Sequence, residues 1–579
     1  MSIILSEEQI VYLQSFGKVI LNACPGSGKT TTVAHKIHLL IQSWDIQFPK
    51  NSGIICLSFT NVAKNEIAEK FREINGFSLP YPHLISTIDS FVNTFITLPF
   101  AHKLKDVGKR YKIIDDTSYL DGIFQSDWQL MRTYKTYLFA FAPSKIDYTI
   151  NNGYSWDGHN KSDDAEFVKY ATAVKTKQIG LGLLKTSDSA FFAYHILKKY
   201  PRIAKYLAAK FPYLIIDEAQ DTSEIQHSIL EILYNEGLKN IDLVGDPYQC
   251  LYQWRDASPE LFLQKFDDSA NWRGIYLTEN RRSTKKIIDV FSKLRRITDE
   301  AIIPVINSET DLPLHIIKYD IEDYQDAIRK YELLCHDNNL ESNNILVRGN
   351  SLKNSLLGKE KNFSPWGNSL PYLLIESKIH LQSNEIKEAV RKVRRILIEL
   401  LNPNISFSDL KEKELELKND KETNSAIFNL IRSLPSFDLS IKEWTVQTQQ
   451  YLKKELELVS EPDFKIRKKN TTTFDKRTLD NSVNYHFKKA TTDNNFPVTT
   501  IHQVKGMTFD SVFLILSSDS KGQNISLNDF VLKETMPTEK QRLIYVAISR
   551  PKSLLCIGVP KTLSEEEIKQ TFEGEIIIL

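Results

Sequence analysis

The sequence predicts an α/β protein with buried parallel sheets, because several apolar runs of strand length end directly in polar or Gly-rich segments. Residues 19–21, 53–60 and 213–216 are largely continuous apolar stretches, which is typical of strands covered on both faces. In open sheets of this class, ligands bind beyond the carboxyl ends of the strands. The residues that follow these runs are therefore the first candidates for a functional site.

The segment after the first run, residues 22–31 (NACPGSGKTT), has the pattern of a phosphate-binding loop. Gly26 and Gly28 allow the backbone to turn sharply, so that consecutive N–H groups can point at phosphate oxygens. A segment with helical apolar spacing follows, and its positive N-terminal end favours anions. Lys29 supplies a cation for the outer phosphates, and the hydroxyl of Thr30 is placed to ligate Mg²⁺. The competing interpretation is a Gly-containing turn in a structural loop.

The composition describes an ordinary globular chain without a disulfide or metal framework. The 579 residues are enough for several domains, and 41% of them are hydrophobic and 25% charged. The formal net charge is +1, so any track for nucleic acid must be local. The five cysteines are scattered without a C-x-x-C pair, which predicts no disulfide framework, zinc site or iron–sulfur cluster.

The sequence also predicts a cytoplasmic protein without a membrane partner. The N-terminus lacks a basic flank followed by a cleavable apolar core. No uninterrupted apolar run approaches the length of a membrane-spanning helix.

Ahead of the loop, Ser6 and Gln9 have the spacing of a helix capping box. In that interpretation the Gln9 amide serves only the backbone of the cap. In the functional interpretation the same amide pairs with the donor and acceptor edge of adenine. From this spacing alone, the cap is the simpler explanation.

The second apolar run ends in Phe59, Thr60 and Asn61, after which a helical pattern begins. An aromatic ring with hydroxyl and amide groups at a strand end suits a ligand site. Residues 85–91 (ISTIDSF) repeat this arrangement.

The third run ends in Asp217 and Glu218, which predicts two carboxylates in the same crevice as Lys29. Asp217 suits Mg²⁺, directly or through water, and Glu218 suits orienting and deprotonating an attacking water. The alternative for adjacent acids is a solvated turn. In a chain with a phosphate-binding loop, the catalytic interpretation is favoured.

A further strand pattern at residues 240–245 leads to Gln249, whose amide can hydrogen-bond a γ-phosphate or the attacking water. Tyr252, Trp254 and Arg255 follow and combine aromatic faces with a guanidinium, the groups that stack on unpaired bases. For Trp254, burial in a hydrophobic core is an equally good interpretation.

Three arginines occupy positions where an isolated cation is unfavourable. Arg281 and Arg282 come where a helical pattern opens, although cations are favoured at the opposite helix end. Arg550 ends an apolar helical face, where an unpaired guanidinium is costly. Such placement predicts an anion near the first pair and a partner for Arg550.

Two long, mainly helical segments interrupt the α/β pattern. Residues 95–205 are aromatic-rich and residues 365–490 are highly charged, with the clearest helix at 385–401. Within the second segment, residues 465–489 are basic with interleaved aromatics, and both a solvated loop and a nucleic-acid contact remain open. Around the second segment, apolar runs predict strands at residues 314–318, 344–348, 511–516 and 554–559.

In order and over nearly the whole chain, these segments resemble the motifs of the UvrD/Rep/PcrA family of superfamily-1 DNA helicases. Each motif alone is moderately specific, and eight in the same order are very specific. The resemblance rests on Gln9, residues 23–31, Phe59-Thr60-Asn61, residues 217–221 (DEAQD), residues 245–249 (GDPYQ) with Trp254-Arg255, residues 280–283 (NRRS), residues 500–502 (TIH) with Lys505-Gly506, and residues 545–550 (YVAISR).

The resemblance implies two RecA-like P-loop core domains of α/β class, each interrupted by a mainly helical accessory insertion. The expected boundaries are 1–95 and 206–275 for the first core domain, 96–205 for its insertion, 276–364 and 491–579 for the second core domain, and 365–490 for the second insertion.

The resemblance also implies an ATP-dependent DNA helicase that moves on single-stranded DNA, usually 3′ to 5′. ATP and Mg²⁺ would be its cofactors, and single-stranded DNA, or DNA with single-stranded ends or tails, its partner. Arg282 and Arg550 would be cationic fingers that neutralise charge on the γ-phosphate when the core domains close.

By the same resemblance, each remaining position has an expected role. The nucleotide-binding positions are Gln9, Ala23, Gly26, Ser27, Gly28, Lys29, Thr30, Thr31 and Arg281, with Glu218 and Gln249 in catalysis and Thr30 and Asp217 at the metal. The positions that match DNA contacts are Phe59, Thr60, Asn61, Thr87, Tyr252, Trp254, Arg255, Thr500 and His502.

Three positions depart from the family pattern. Ala23 stands where the loop usually begins with Gly, and Thr508 stands where the family usually has an acid after Lys-Gly-Leu. Arg281 stands where the family usually has an aromatic residue that stacks on adenine. A guanidinium plane can also stack, so we expect ATP binding to survive while selectivity for the base is in question.

In its general architecture the chain is also similar to the helicase-like subunit of Gabija-type antiphage systems, which occurs beside an OLD-family nuclease subunit. The second function hypothesis is therefore a DNA-stimulated ATPase that acts as a sensor and regulates a partner nuclease, with little strand separation. A third hypothesis is a motor directed to RNA, although nothing in the sequence specifically reads a 2′-hydroxyl.

Overall fold

The computed structural model forms two compact units, which are Met1–Arg348 with Ile501–Leu579, and Gly349–Thr500. In the part of the chain that it describes, no helix has both the length and the apolar character required to cross a membrane. The described residues are 5–114, 118–125, 127–251, 257–306, 311–320, 323–356, 365–367, 369–382, 385–402, 410, 413–414, 416–417, 420–467, 476–487, 496–516, 525–532, 535–572 and 574–579.

A six-stranded parallel sheet organises the first part of the larger unit. Its strands are β1 (Lys18–Ala23), β2 (Ile54–Ser58), β3 (Leu84–Thr87), β4 (Tyr213–Asp217), β5 (Asn240–Gly245) and β6 (Arg273–Leu277), in the order β6-β1-β5-β4-β2-β3. Along β1, Ile20 packs into the core on one face, and Val19 and Leu21 pack into the core on the other. Burial on both faces explains the continuous apolar runs of the sequence.

Helices cover both faces of this sheet and fill the first insertion. Around the sheet lie α1 (Glu7–Leu13), α2 (Lys29–Gln42), Trp44–Gln47, Asn61–Asn75, Ile88–Val92, Ala219–Asp221, Glu224–Asn235, Pro247–Gln249 and Pro259–Asp267. The insertion contains the helical segments Asn93–Thr97, Leu98–Phe100, Ala101–Lys103, Ser118–Gln125, Trp128–Ala140, Pro143–Lys145, Ala165–Gly180, Thr186–Lys199 and Pro201–Lys210.

Two small sheets complete the first insertion. Lys112–Ile114 pairs in parallel with Leu183–Lys185. Ile146–Tyr148, Tyr154–Trp156 and His159–Asn160 form an antiparallel sheet, so residues 151–160, which are mostly polar, lie in its hairpins.

A second parallel sheet lies in the same unit. Its strands within this unit are β7 (Leu314–Tyr319), β8 (Asn343–Val347), β9 (Phe509–Ile515), β10 (Pro551–Pro560) and β11 (Ile576–Ile578), in the order β8-β9-β10-β7-β11. The short strands Glu279–Asn280 and Ile303–Pro304 pair in parallel nearby in the sequence. The helices of this part are Lys285–Ser292, Gln325–Asp337, Ile501–Val504, Leu527–Phe530, Glu539–Ile548 and Glu565–Thr571. Two parallel α/β sheets agree with the predicted pair of RecA-like domains.

The smaller unit is mainly helical, with its own apolar core around Trp366 and Trp444. The helix predicted at residues 385–401 begins at Ile386 and ends at Leu401. The elements of this unit are Asn350–Leu356, Leu370–Gln382, Ile386–Leu401, Lys421–Arg432, Ile441–Glu455, Lys476–Asp480, Val483–Phe487 and the strand Val498–Thr500.

A buried cation fixes α1 against α2 beneath the phosphate-binding loop. Lys36, on α2, is fully buried, and its Nζ donates to the backbone carbonyls of Tyr12 at 3.0 Å, Leu13 at 2.9 Å and Ser15 at 2.5 Å. These carbonyls lie at or just beyond the end of α1, where the helix does not fully pair them, although that of Tyr12 also accepts from the N–H of Ser15 at 3.0 Å. The Tyr12 hydroxyl in turn donates to Asp242 on β5 at 3.0 Å. The helix that carries Gln9 is therefore tied to the sheet that carries the site.

Candidate nucleotide and DNA site

The carboxyl edge of the first sheet gathers the residues predicted for nucleotide chemistry. β1 ends at Ala23, and the loop that follows leads into α2, whose first residue is Lys29. β4 ends at Asp217 and is followed by Glu218, while the residues after β5 include Gln249. Because the six strands are parallel, all these side chains lie at one edge of the sheet.

Gly26 and Gly28 are required by the shape of the loop and by what packs on it. Both have positive φ angles, +73° and +78°, which favour glycine. A Cβ added to Gly26 would lie 2.6 Å from the Cβ of Arg282. Asn280 Nδ2 donates to the carbonyl of Pro25 at 2.6 Å, so the segment after β6 rests directly on the loop.

Two lysines neutralise the acids that follow β4. Lys29 Nζ lies 2.6 Å from Glu218 Oε1, and Gln220 Nε2 donates to Glu218 Oε2 at 2.5 Å. Lys505 Nζ lies 2.5 Å from Asp221 Oδ2 and 3.7 Å from Glu218 Oε2. Glu218 thus stands between the cation of the phosphate-binding loop and a cation from the second part of the unit.

Electrostatics keep the pair of Lys29 and Glu218 charged. Burial raises the pKa of Glu218, but the charges of Lys29 and Lys505 outweigh burial and lower that pKa to about 2. Burial lowers the pKa of Lys29, yet the carboxylates of Glu218 and Asp217 leave that pKa above its ordinary value. A phosphate that took Lys29 would remove the main counter-charge of Glu218 and make this carboxylate more basic.

Asp217 offers an oxygen that protein groups leave unused. Its side chain is 1% exposed, and Oδ1 has no hydrogen-bond partner among the described residues. Burial raises the pKa of Asp217 to about 7, even though Lys29 lowers it. An unpartnered buried carboxylate oxygen fits Mg²⁺, which typically takes one or two carboxylates together with substrate phosphates. Thr30 lies one residue after Lys29, in the first turn of α2, and its side chain hydrogen-bonds Glu66.

Gln249 is held between an acid and an arginine. Its Nε2 donates to Asp246 Oδ2 at 2.7 Å, and its Oε1 accepts from Arg550 Nη2 at 2.5 Å. Arg550 Nε also donates to the carbonyl of Val546 at 2.8 Å, at the end of helix Glu539–Ile548. The partner expected for the buried Arg550 therefore includes the Gln249 amide.

Arg282 and Arg550 form an electropositive pair, and among the described residues neither makes an ion pair with a carboxylate, although the charges of Asp246 and Glu218 act on Arg550. Arg282 Nη1 donates to the carbonyl of Ser549, the residue before Arg550, at 3.1 Å. Burial and then repulsion from Arg282 lower the pKa of Arg550 to about 9, and burial also lowers the pKa of Arg282. An anion bound beside the two guanidinium groups would relieve this repulsion. The sequence predicts an anion near Arg282, and for Arg550 only a partner.

The prediction that Arg281 and Arg282 begin a helix is wrong. The helix begins at Lys285 behind its N-cap Thr284, so both arginines precede it by several residues. Arg281 Nη2 donates to Glu279 Oε2 at 2.8 Å, and the backbone N–H of Arg281 donates to the loop carbonyl of Gly26 at 3.0 Å. The arginines are positioned by their packing on the loop rather than by a helix end.

Gln9 completes the capping box that its spacing predicts, and it also braces the loop. Its Oε1 accepts from the backbone N–H of Ser6 at 2.9 Å. Its Nε2 donates to Thr32 Oγ1 at 2.8 Å and to the carbonyl of Ser27 at 3.3 Å. Both amide hydrogens are thus used within the chain, and one would have to be released to donate to a base.

The remaining predicted nucleotide positions lie around the loop. Ala23 is 1% exposed at the end of β1, and the hydroxyl of Ser27 is buried without a partner among the described residues. Thr31 is half-buried in the first turn of α2.

The predicted DNA positions at the edge of β2 and β3 lie side by side. Ser58 and Thr87 are register partners, so Phe59, Thr60 and Asn61 leave the sheet next to Thr87. The hydroxyls of Thr60 and Thr87 each cap a helix, accepting from the N–H groups three residues on at 3.1 Å. Asn61 is exposed and Phe59 is half-buried.

Thr500 is 7% exposed at the end of the strand Val498–Thr500, and His502 is exposed in the following 3₁₀ turn. The predictions for Tyr252, Trp254 and Arg255, and the parts of the basic stretch at 468–475 and 488–489, fall outside the described residues.

Sequence reasoning assigned no role to several polar residues that build the site. Each of these residues lies within one of the motifs given above, and that membership was the available signal of a role. Their contacts could not be predicted, because their partners are distant in sequence. These residues are Gln220, Asp221, Asp246, Asn280 and Lys505.

Two family descriptions match the chain in succession. Residues 5–270 match the N-terminal domain of UvrD/REP helicases, and residues 406–562 match the C-terminal domain of UvrD-like helicases. The ATP-dependent DNA helicase PcrA of Staphylococcus epidermidis (strain RP62A) is 23% identical over 637 residues, which cover 95% of this chain and 82% of that protein. The PcrA helicase of Staphylococcus aureus (strain Mu50) is 23% identical over 618 residues, covering 93% and 81%.

Proposed function

The chain belongs to the UvrD/Rep/PcrA family of superfamily-1 helicases, and from this premise we propose that it hydrolyses ATP to move along single-stranded DNA and separate duplex strands. The PcrA relatives are DNA helicases by name. We propose the 3′ to 5′ direction, which is usual in the family that the motifs resemble.

The proposal rests on one arrangement. Cations from both parts of the larger unit surround Glu218 and Asp221, the acids that follow β4. Lys29 lies 2.6 Å from Glu218, and Lys505 lies 2.5 Å from Asp221. Arg282 and Arg550 add two guanidinium groups, which bond to the Ser549 carbonyl and the Gln249 amide and make no ion pair with a carboxylate among the described residues. Phosphoryl transfer depends mainly on positioned cations and an oriented water, and this cluster provides groups for both tasks.

The ion pair of Lys29 with Glu218 determines the sequence of steps in the proposed reaction: nucleotide binds first, and Glu218 then acts as the base. Nucleotide phosphates compete with Glu218 for Lys29, because both are anions within reach of the same ammonium group. Once Lys29 pairs with phosphate, Glu218 becomes more basic and can take a proton from the attacking water. Gln249, held by Asp246 at 2.7 Å, is placed to orient that water.

Asp217 and Thr30 are the residues that we propose at Mg²⁺, since Asp217 Oδ1 is buried without a partner among the described residues. Bound Mg²⁺ would neutralise charge on the phosphates. The chain's own contribution is to keep this oxygen buried near Lys29, whose charge acts on the Asp217 carboxylate.

We propose that residues 1–95 with 206–275 and residues 276–364 with 491–579 act as two core domains, with insertions at 96–205 and 365–490. Arg282 and Arg550 come from the second of these and meet the acids of the first, so hydrolysis requires the cleft to be closed. Alternate closing and opening, with grip on a strand by residues such as Phe59 and His502, would then give directional movement.

A strand-displacement assay tests the proposal, with the purified chain, ATP and duplexes that carry a single-stranded tail on one side only. We expect displacement from a 3′-tailed duplex and little from a 5′-tailed one. Equal displacement from both tails would contradict the direction. Single-strand-stimulated ATP hydrolysis without displacement from either would favour the alternative, a DNA-stimulated sensor that regulates a partner nuclease.

We expect this site to discriminate only weakly between adenine and guanine nucleotides. Both Nε2 hydrogens of Gln9 already donate to Thr32 and Ser27 within the chain, and Arg281 replaces the aromatic residue usual in the family. We expect GTP to be hydrolysed within about tenfold of the ATP rate. A tenfold limit means that contacts which distinguish adenine from guanine contribute no more than about 1.4 kcal/mol. Arg281→Tyr should favour ATP over GTP, whereas Gln9→Ala should slow both equally. A wild-type chain that hydrolyses only ATP would contradict this expectation.

A further inference from the structure

A strongly basic surface lies on the first part of the larger unit, outside the nucleotide site. Residues 102–112 and 194–210 together contain ten Lys and Arg and a single acid, Asp106, whereas the whole chain has 74 Lys and Arg and 73 Asp and Glu. We call the Lys and Arg of these two segments the basic strip. Nine of the ten are exposed, and Lys210 is half-buried.

The two segments of the strip are joined in space. The Tyr200 hydroxyl donates to the carbonyl of Lys103 at 3.1 Å, and the Nζ atoms of Lys103 and Lys199 both lie 5.6 Å from the centre of the Tyr200 ring. Further along, the Tyr111 hydroxyl donates to the carbonyl of Lys105 at 2.8 Å, and its ring lies 6.0 Å from that of Phe192. The first segment therefore runs along the helix Thr186–Lys199 as one continuous surface.

The charges of the strip are not neutralised within the chain. None of its ten cations has an ion-pair partner among the described residues. Asp106 accepts from the N–H of Gly108 at 2.9 Å and so serves its own loop. Lys103, Lys198, Lys199 and Lys210 lie at the C-terminal ends of helical segments, where a cation is favourable. Lys105, Lys109 and Arg110 lie in a loop and have no such explanation.

The strip reaches the side of the sheet opposite to the nucleotide site. The N–H of Gly53, just before β2, donates to the carbonyl of Lys210 at 2.9 Å, so the helix Pro201–Lys210 ends at the amino edge of the sheet. Lys29 and Glu218 lie at the carboxyl edge. The length of β2, five residues at about 3.3 Å each, separates the two edges.

We propose that the basic strip binds the phosphate backbone of double-stranded DNA. A dense row of unpaired lysines and arginines matches the regular negative charge of a duplex, which needs no base contacts to be bound. Single-strand platforms need successive free aromatic faces. Here Lys103 and Lys199 flank the Tyr200 ring and Lys198 lies 5.5 Å from the Tyr194 ring, which leaves Tyr206 as a single open ring. The choice of DNA as the polyanion rests on the proposed function.

The test measures binding of the full chain to a fluorescent blunt-ended duplex of about 30 base pairs, roughly three helical turns. The strip variant is the triple change Lys103→Gln, Lys199→Gln and Arg202→Gln, whose side chains are all exposed. Fluorescence anisotropy is recorded without nucleotide between about 50 and 200 mM KCl. The control variant, Lys442→Gln with Lys453→Gln and Lys454→Gln, makes the same change of charge on the helix Ile441–Glu455.

The strip variant should bind the duplex at least about tenfold more weakly at low salt, with the slope of log affinity against log salt reduced by up to about three. The control variant should bind like the wild type, and both should unfold at the wild-type temperature. A strip variant with unchanged duplex affinity and slope would overturn the proposal. Loss of binding to phosphatidylglycerol vesicles with unchanged duplex affinity would also overturn it and would identify a lipid-binding surface.

The same proteins are assayed for ATP hydrolysis with saturating oligo(dT), which separates this inference from the proposed function. The strip variant should keep the wild-type stimulated rate, because none of its changes lies at the nucleotide site. If oligo(dT) fails to stimulate even the wild type, the proposed function fails, and the duplex comparison still decides the role of the strip.

Discussion

Replacing Glu218 by Gln should slow ATP hydrolysis by about 10²- to 10⁴-fold, the range for loss of a general base. The carboxylate is ionised, with a pKa of about 2, because Lys29 and Lys505 outweigh its burial. The amide keeps the size of the side chain but can neither take a proton from water nor hold Lys29 as a counter-charge. Nucleotide affinity should therefore be retained or increased, since phosphate no longer competes with a carboxylate for Lys29.

Two measurements distinguish this outcome from general damage, namely single-turnover hydrolysis and equilibrium binding of a fluorescent ATP analogue. Glu224→Gln is the matched control, since Glu224 is exposed in the first turn of the helix Glu224–Asn235. We expect that control to behave as the wild type. A Glu218→Gln chain that hydrolyses ATP at more than about a tenth of the wild-type rate would assign the base to another group.

Replacing Arg550 by Gln should reduce the hydrolysis rate by about 10³- to 10⁵-fold, as expected for an arginine that stabilises transferring phosphate. Its guanidinium is buried, bonded to Gln249 at 2.5 Å and repelled by Arg282. Asp246 and Glu218 offset that repulsion only in part, and a bound anion would relieve it further. The same change should therefore weaken binding of a non-hydrolysable ATP analogue more than binding of ADP, which lacks the γ-phosphate.

Because Arg550 is buried, its loss could also lower stability, and the design must separate the two effects. Arg550→Lys keeps the charge but loses the planar fork, so its rate should lie between those of Arg550→Gln and the wild type. Thermal unfolding with and without nucleotide shows whether each variant is folded at the assay temperature. Equal weakening of ADP and ATP-analogue binding in a folded Arg550→Gln chain would contradict a role at the γ-phosphate.

The sequence predicted the two parallel sheets well, because strands buried on both faces leave continuous apolar runs. The run at 53–60 became β2 (Ile54–Ser58), and the run at 554–559 became the longer β10 (Pro551–Pro560). The edge strand Ile576–Ile578 was missed, since three apolar residues near the end of the chain give no periodic signal.

The placement of the candidate site was predictable where one motif contains the whole signal. The phosphate-binding loop and the acids after β4 are recognised from residues that adjoin in sequence. The sequence predicted these acids in the same crevice as Lys29, but the direct ion pair of Lys29 with Glu218 was not predictable, since β5 lies between β1 and β4 and the order of strands is not written in any motif. The contact of Lys505 with Asp221 depends likewise on how the two sheets face each other.

The structure confirms one predicted role of Gln9, the helix cap, and adds contacts with the phosphate-binding loop that the sequence did not predict. Its spacing from Ser6 predicted the capping box, which is present. Its second set of bonds, to Thr32 and Ser27, depends on the packing of α1 against α2 that buried Lys36 secures. The basic strip has a similar origin, because its two segments are about 90 residues apart and meet only after the insertion has folded.

The rate of ATP hydrolysis by the purified chain, measured against increasing concentrations of single-stranded oligo(dT), is the measurement to make first. A cleft that requires Arg282 and Arg550 to meet the acids of the first sheet should turn over slowly alone and be stimulated in a saturable manner by the strand. Glu218→Gln should remain slow at every DNA concentration. A hydrolysis rate that stays the same from zero to excess DNA would contradict a DNA-driven motor.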